Sequence, residues 1–308
     1  MGKHSGKSNK FTLYIKALRG EFFLASWIPV GVGLALSYRY NGYINFYTAF
    51  LTFLCITFFH AGTNLANDYF DHLSGNDENN LFFTPFNGGS RFIQKNLIPA
   101  KNIFLFSMVN FVLGTVLGLY LFMISWSFLL LMIGLAGFFI GFFYTIPPLR
   151  IGYAGFGETA AGIAFGPLAI ASSFLIQTGT INNIVWLFSI PIGIGVFLIL
   201  LVNEFPDYPA DKSVNKKTLI VRMGKRKGIA LYCVLVIFIF IYTSICVFSG
   251  YFPKNTLILL ILFPASLVLM WHGIKNLYND TKFIVVNAGT ILFYFAMGII
   301  FIITCLIK

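Results

Sequence analysis

Charge is scarce in this sequence, and acid is scarcer than base. Only 10% of the 308 residues are charged, against roughly 25% in soluble globular domains. With 58% hydrophobic residues and a mean hydropathy of +0.83, that shortage excludes a water-soluble fold. Cysteine supplies no framework either. Cys55, Cys233, Cys246 and Cys305 fall singly inside apolar runs, without disulfide or metal-ligand spacing, and are expected to pack as small apolar side chains. No small-residue cleavage site follows a short apolar core after the polar, basic segment ending at Lys10, so no removable signal peptide is expected. The apolar runs do not alternate with polar residues, which argues against a membrane barrel.

What the sequence does contain is long apolar windows, at 22–38, 46–66, 103–123, 127–145, 158–176, 183–203, 229–249, 256–273 and 284–306. Each approaches the ~20 residues a membrane-spanning helix needs. The expectation is an all-α integral membrane protein of nine transmembrane helices. Basic residues orient it. With the N-terminus inside, only Arg39, Lys254 and Lys308 of the 21 Lys and Arg residues fall on the outer side. The N-terminus is therefore expected in the cytoplasm and the C-terminus outside. The net charge of +11 is then chiefly a topology signal, with anionic membrane lipid as a further partner and no call for nucleic acid. One domain spans 1–308, with a polar basic N-terminal segment (1–19) and two motif-bearing cytoplasmic segments (67–102 and 204–228).

Most of the ten acidic residues cluster. The second window ends in NLANDYFDHLSGNDEN, where Asn64, Asp68 and Asp71 at i, i+4, i+7 share one helix face. The sixth ends in NEFPDYPADKSVNKKTLIVRMG, where Asn203, Asp207 and Asp211 at i, i+4, i+8 do the same. Pro206 and Pro209 predict a break or kink there. Carboxylates at membrane depth are functional by default, and two matching arrays on one side of the membrane point to a shared metal site. Oxygen ligands without nearby His or Cys favour Mg2+ over zinc. Arg91 in FNGGSRFIQK, with Lys212, Lys216, Lys217 and Arg222, supplies phosphate partners. Metal, carboxylates and bases together describe a diphosphate site, suited to ionising an allylic diphosphate.

NLANDYFD, GGSR, YTIPPLRIGYAGFGE and NEFPDYPADKSVNKKTLIVRMG resemble the signature segments of the UbiA-type intramembrane prenyltransferases, over nearly the whole chain. Within that family they look most like the 1,4-dihydroxy-2-naphthoate polyprenyltransferases of menaquinone biosynthesis. The resemblance implies a nine-helix bundle around a central cavity in the cell's inner (cytoplasmic) membrane, with its active site toward the cytoplasm. It implies Mg2+-dependent transfer of a polyprenyl group from polyprenyl diphosphate to an aromatic acceptor. By position, Asn64, Asp68 and Asp71 fall in the first metal motif, Asn203, Asp207 and Asp211 in the second, and Lys216 at the basic position before the TL pair. Arg150 falls where relatives carry a base that contacts diphosphate, and Tyr144 where a side chain approaches the allylic carbon. The chain departs from the naphthoate pattern at NEFPD, where an NNxRD segment is usual.

His60, one turn before Asn64, lines the same cavity or hydrogen-bonds between helices. Glu158 caps the fifth helix or orients the acceptor or a base. Gly88 and Gly89 predict a tight turn that brings backbone amides toward phosphate, and Lys225 to Lys227 a topology anchor. Three other readings stand beside the transferase: a UbiA-type terpene cyclase, which would make product without an aromatic ring; a transferase acting on 4-hydroxybenzoate or homogentisate; and an ion-coupled transporter, which has no use for bases beside the carboxylates.

Overall fold

A computed structural model describes residues 10–84 and 86–307. Lys3, Lys7 and Lys308, which entered the orientation count, lie outside the described residues, as do residues 1–9 of the basic N-terminal segment. The chain is helical throughout, with no β-sheet among the described residues. In order, the helices are α1 (Lys10–Ala17), α2 (Leu24–Asn41), α3 (Phe46–Ser74), α4 (Asn76–Asn79), α5 (Ala100–Ser125), α6 (Phe128–Phe142), α7 (Gly157–Ile163), α8 (Ala169–Thr178), α9 (Asn183–Ser213), α10 (Leu219–Met223), α11 (Lys225–Phe248), α12 (Phe263–Lys275) and α13 (Asp280–Leu306).

Every apolar window of the sequence becomes helix, but the windows are not equivalent. Seven helices are long and apolar enough to cross a membrane. An eighth span results if Phe11–Phe22 and Leu24–Asn41, bent by 55°, count as one. The window at 127–145 yields only the 15 residues of α6, about 22 Å at 1.5 Å per residue and short of the ~30 Å hydrocarbon core. Two of the seven are composite. Pro167 lies in a π-helical turn, Ala164–Leu168, between α7 and α8, where the wider turn absorbs a missing N–H. A 3-10 stretch, Lys254–Leu262, leads into α12.

Helices α3 and α9 fix the site. Their 29 and 31 residues correspond to about 43 and 46 Å, so each overshoots the hydrocarbon and carries its acidic end beyond it. Asn45 starts α3 by accepting from the backbone N–H of Tyr47 and Thr48. Asn182 starts α9 in the same way through Ile184. The apolar window of α9 is 61% buried against 22% for Lys254–Lys275, which makes α9 the central helix. Gly193 lets the α7 segment pack directly on it, since a Cβ there would stand 2.7 Å from the Gly162 carbonyl oxygen.

Of the break or kink expected at Pro206 and Pro209, the break does not occur: the helix runs unbroken from Asn183 to Ser213 with Pro191, Pro206 and Pro209 inside it. A proline leaves the carbonyl four residues earlier without its donor, and an orphaned carbonyl in lipid is costly. For Pro206 that carbonyl is Val202, and the Asn287 side-chain amide donates to it at 3.0 Å. For Pro191 it is Leu187, and the Tyr242 hydroxyl donates at 3.2 Å. In α2 the same holds for Pro29, where Tyr294 donates to the Ala25 carbonyl at 2.7 Å. Neighbouring helices thus supply the hydrogen bonds that these prolines remove.

Candidate functional site

A cavity of about 510 Å³ runs from the acidic ends of α3 and α9 into the bundle. Along α3 its wall follows the helical repeat, through Thr52, Cys55, Phe59, Thr63, Asn67 and Asp71. The wall is apolar deep in the bundle, where Leu121, Leu130 and Ile133 of α5 and α6 line it, and polar at the acidic ends of α3 and α9.

At the polar end the two acidic faces meet around one cation. Lys216 Nζ lies 3.1 Å from Asp71 Oδ2 and 3.7 Å from Asp211 Oδ1. Burial works against the Lys216 ammonium, yet the Asp71 and Asp211 carboxylates raise its pKa well above the ordinary lysine value. Asp71 also accepts from Asn67 Nδ2 at 2.9 Å and from the Tyr153 hydroxyl. Burial and then the Asp71 charge hold that phenol above its usual range. Asp211 accepts from Asn76 Nδ2 at 3.0 Å and Thr218 Oγ1 at 3.2 Å. Asp207 accepts from the side-chain amides of Asn80 and Asn87.

The loop after α3 folds back over this end. Asp68 does not line the cavity; its Oδ1 accepts from the Ser90 N–H at 3.2 Å. The expected glycine turn is present, with φ of +75° at Gly88 and +71° at Gly89. Gly89 also permits close approach, because a Cβ there would stand 2.7 Å from Asp77 Oδ2 and 3.1 Å from Asp68 Oδ1. The amide that follows this turn is spent on Asp68 rather than left open to phosphate. Asp77, which sequence reasoning passed over, lies 2% exposed in this loop. Burial, with the Asp71 and Asp68 charges behind it, pushes its carboxyl up to about 9.

The other expected site residues divide clearly. Asn64, Asn203, Tyr144 and His60 line the cavity. Asn203 Oδ1 accepts from Asn287 Nδ2 at 2.8 Å. His60 both lines the cavity and bonds between helices, with Nδ1 3.1 Å from Ser26 Oγ. Glu158 does not cap its own helix. It is buried, and Oε1 accepts from the Leu219 N–H of α10 at 3.1 Å. Of the expected diphosphate bases only Lys216 reaches the cavity wall. Arg91 lies over Phe83 (4.5 Å), Arg150 over Tyr153 (5.4 Å), Lys212 over Tyr208 (5.7 Å) and Arg222 over Phe156 (5.6 Å), and Lys217 also lies off the wall. Arg19, read from the sequence only as a topology charge, does line the cavity.

The donor set fits a hard divalent cation. It consists of carboxylate and amide oxygens, and two of them, Asp68 Oδ2 and Asn76 Oδ1, are buried without a hydrogen-bond partner. Among the described residues no three acidic, His or Cys groups stand close enough to enclose a metal unaided, because asparagines and Lys216 interleave the carboxylates. That pattern suits Mg2+, which keeps waters and takes substrate phosphate oxygens beside one or two carboxylates.

Residues 26–304 match the model of the UbiA prenyltransferase family. The chain is 31% identical over 286 residues to a 2-carboxy-1,4-naphthoquinone phytyltransferase of Synechocystis sp., covering 89% of this chain and 88% of that relative. It is 34% identical over 213 residues to a 1,4-dihydroxy-2-naphthoate octaprenyltransferase of Bacillus subtilis, covering 69% of this chain and 66% of the relative. Among solved structures, a UbiA homolog from Archaeoglobus fulgidus bound to DMAPP and Mg2+ superposes with a TM-score of 0.60 at 16% identity, over 92% of this chain and 98% of that one. At that identity the likeness establishes the fold alone.

Proposed function

We infer the chemistry from one premise: the chain belongs to the UbiA prenyltransferase family. It is an intramembrane prenyltransferase that moves a polyprenyl group from its diphosphate to an aromatic acceptor. Relatives named for 1,4-dihydroxy-2-naphthoate and 2-carboxy-1,4-naphthoquinone support 1,4-dihydroxy-2-naphthoate as that acceptor, within menaquinone biosynthesis. The observation that carries the reading is the meeting of the α3 and α9 acidic faces around Lys216 at the polar mouth of an apolar cavity.

Asn64, Asp68, Asp71, Asn203, Asp207 and Asp211 are the residues we assign to hold Mg2+. When bound, the ion supplies positive charge against the diphosphate oxygens. Lys216 and Arg19 face the same volume and stabilise the negative charge that grows on the leaving group. Arg91, Arg150, Lys212, Lys217 and Arg222 form an outer ring of positive charge that draws the anion in. The allylic C–O bond breaks with its electron pair going to the diphosphate, and the electron-rich ring attacks the freed carbon. The ring then loses a proton, or carbon dioxide where the attacked carbon bore the carboxylate. Tyr144, on the cavity wall, is assigned to the side of the allylic carbon, with His60 and Glu158 toward the acceptor. The apolar channel takes the prenyl tail and keeps water from the cation.

The finer topology belongs to the same proposal: nine spans in one domain of 1–308, N-terminus cytoplasmic and C-terminus outside, in the inner membrane. The uneven distribution of Lys and Arg supports it. In the decisive experiment, membranes containing the protein receive a dihydroxynaphthoate, a 4-hydroxybenzoate or a homogentisate, each with a labelled prenyl diphosphate and Mg2+. Mass spectrometry should find label on the naphthoate ring. Label on another ring would overturn the acceptor, and a terpene formed without any ring would overturn the transfer. Asp68→Ala and Asp207→Ala should abolish turnover while the protein still inserts; activity retained in both would sink the metal assignment.

A further inference from the structure

Two buried acids near the polar end of the cavity also hold the backbone that follows Lys216. Glu158, in the first turn of α7, is 1% exposed. Glu204, on α9, lines the cavity wall beside Lys216 and Thr218. Neither forms an ion pair among the described residues. Their carboxyl groups instead accept from consecutive backbone amides. Glu158 Oε1 accepts from the Leu219 N–H and Glu204 Oε2 from the Ile220 N–H, each at 3.1 Å.

Those amides lie three and four residues beyond Lys216, in a segment pinned almost atom by atom. The Lys216 N–H donates to the Asp211 carbonyl and the Lys217 N–H to the Tyr153 carbonyl, each at 2.9 Å. Thr218 Oγ1 donates to Asp211 Oδ2 at 3.2 Å. Upstream of Lys216 the segment is tied to the end of α9; downstream, the two glutamates are its side-chain anchors. A backbone N–H that donates to a buried carboxyl oxygen is a firm tie, because either partner left unpaired away from water is costly. Lys216 in turn has a narrow target, the gap between Asp71 and Asp211.

We propose that Glu158 and Glu204 are positioning residues, a paired clamp on the backbone of Leu219 and Ile220 that sets the Lys216 ammonium between the two acidic faces. Glu204 is also the point at which NEFPD leaves the naphthoate pattern, so the departure serves the scaffold rather than the choice of acceptor ring. The inference rests on the diphosphate reading of the site, and its test separates the two.

The experiment measures equilibrium binding of inorganic diphosphate with Mg2+ to the purified full chain in detergent, with no acceptor present. Wild type is compared with Glu204→Ala, Glu204→Gln, Lys216→Ala and the Glu204→Ala/Lys216→Ala double variant. Glu204→Ala should weaken binding about tenfold. Glu204→Gln, whose amide oxygen still accepts from Ile220, should stay within about threefold of wild type. On the Lys216→Ala background, Glu204→Ala should add nothing, because the two act as one unit. Should Glu204→Ala fail to reach the membrane, Glu204→Leu takes its place with the same expectation. Wild-type binding by Glu204→Ala, failure of Glu204→Gln to rescue, or a full additive loss in the double variant would each overturn the clamp. Absence of diphosphate binding in wild type would instead overturn the functional reading beneath it.

Discussion

Replacing Lys216 by Met tests the central geometry directly. The ammonium stands between Asp71 and Asp211, and its side chain is 13% exposed against 5% and 3% for the two acids. Methionine keeps most of the volume and removes the charge, which leaves two carboxylates buried without their cation. Breaking a buried pair from one side costs about 3–5 kcal/mol. The Asn67, Asn76 and Thr218 donors that remain on the acids set the expectation at the low end, about 3 kcal/mol. At roughly 2–4 °C per kcal/mol, the unfolding midpoint in detergent with EDTA should fall by about 6 °C or more. Saturating Mg2+ gives the same carboxylates a replacement cation, so the gap between variant and wild type should shrink to about 2 °C or less. Fluorescence-detected thermal unfolding, with and without Mg2+, reads both numbers. An equal drop under the two conditions would refute the claim that ammonium and metal serve the same carboxylates; no drop in EDTA would refute the pairing itself.

Three further outcomes are expected. Tyr294→Phe removes the donor from the Ala25 carbonyl that Pro29 orphans and should cost about 1–2 kcal/mol; in a Pro29→Ala background the same change should be nearly silent, and a silent effect in the native background would disprove the role. Asp77, pushed up to about 9 from an ordinary value near 4, binds more protons folded than unfolded, so its contribution to metal-free stability is full at low pH and is lost as pH rises from about 4 to about 9. Asp77→Asn should flatten that slope in pH-dependent melts, and an unchanged slope would remove Asp77 as its source. Gly134 lines the cavity, and a Cβ there meets nothing within 4 Å, so Gly134→Leu should block long prenyl diphosphates by tenfold or more in turnover while short ones still react; equal losses for both lengths would place the tail elsewhere.

Helical spacing was enough to put Asn64 and Asp71 on the cavity side of α3, because that relation is internal to one helix. Asp68 is held in a way the spacing does not show, its Oδ1 accepting from the Ser90 amide of a loop that folds back from outside the helix. Asp77, Asn80 and Asn87 reach the site through that loop, and no periodicity announces a loop's path. Cations were legible as a group and not as individuals: Lys216 faces the cavity, while Arg91, Arg150, Lys212 and Arg222 settle over neighbouring aromatic rings. Pro206 reads as a break or kink because its remedy is remote. Val202 finds its donor 85 residues away, a pairing that local sequence does not display.

Two of those three remedial donors, Asn287 and Tyr294, sit on α13. The Ala25 carbonyl is matched by a hydroxyl 269 residues later. Until α13 docks, α2 and α9 each carry a carbonyl without its donor, and that one helix closes both gaps at once. A chain cut short before α13 keeps both gaps open.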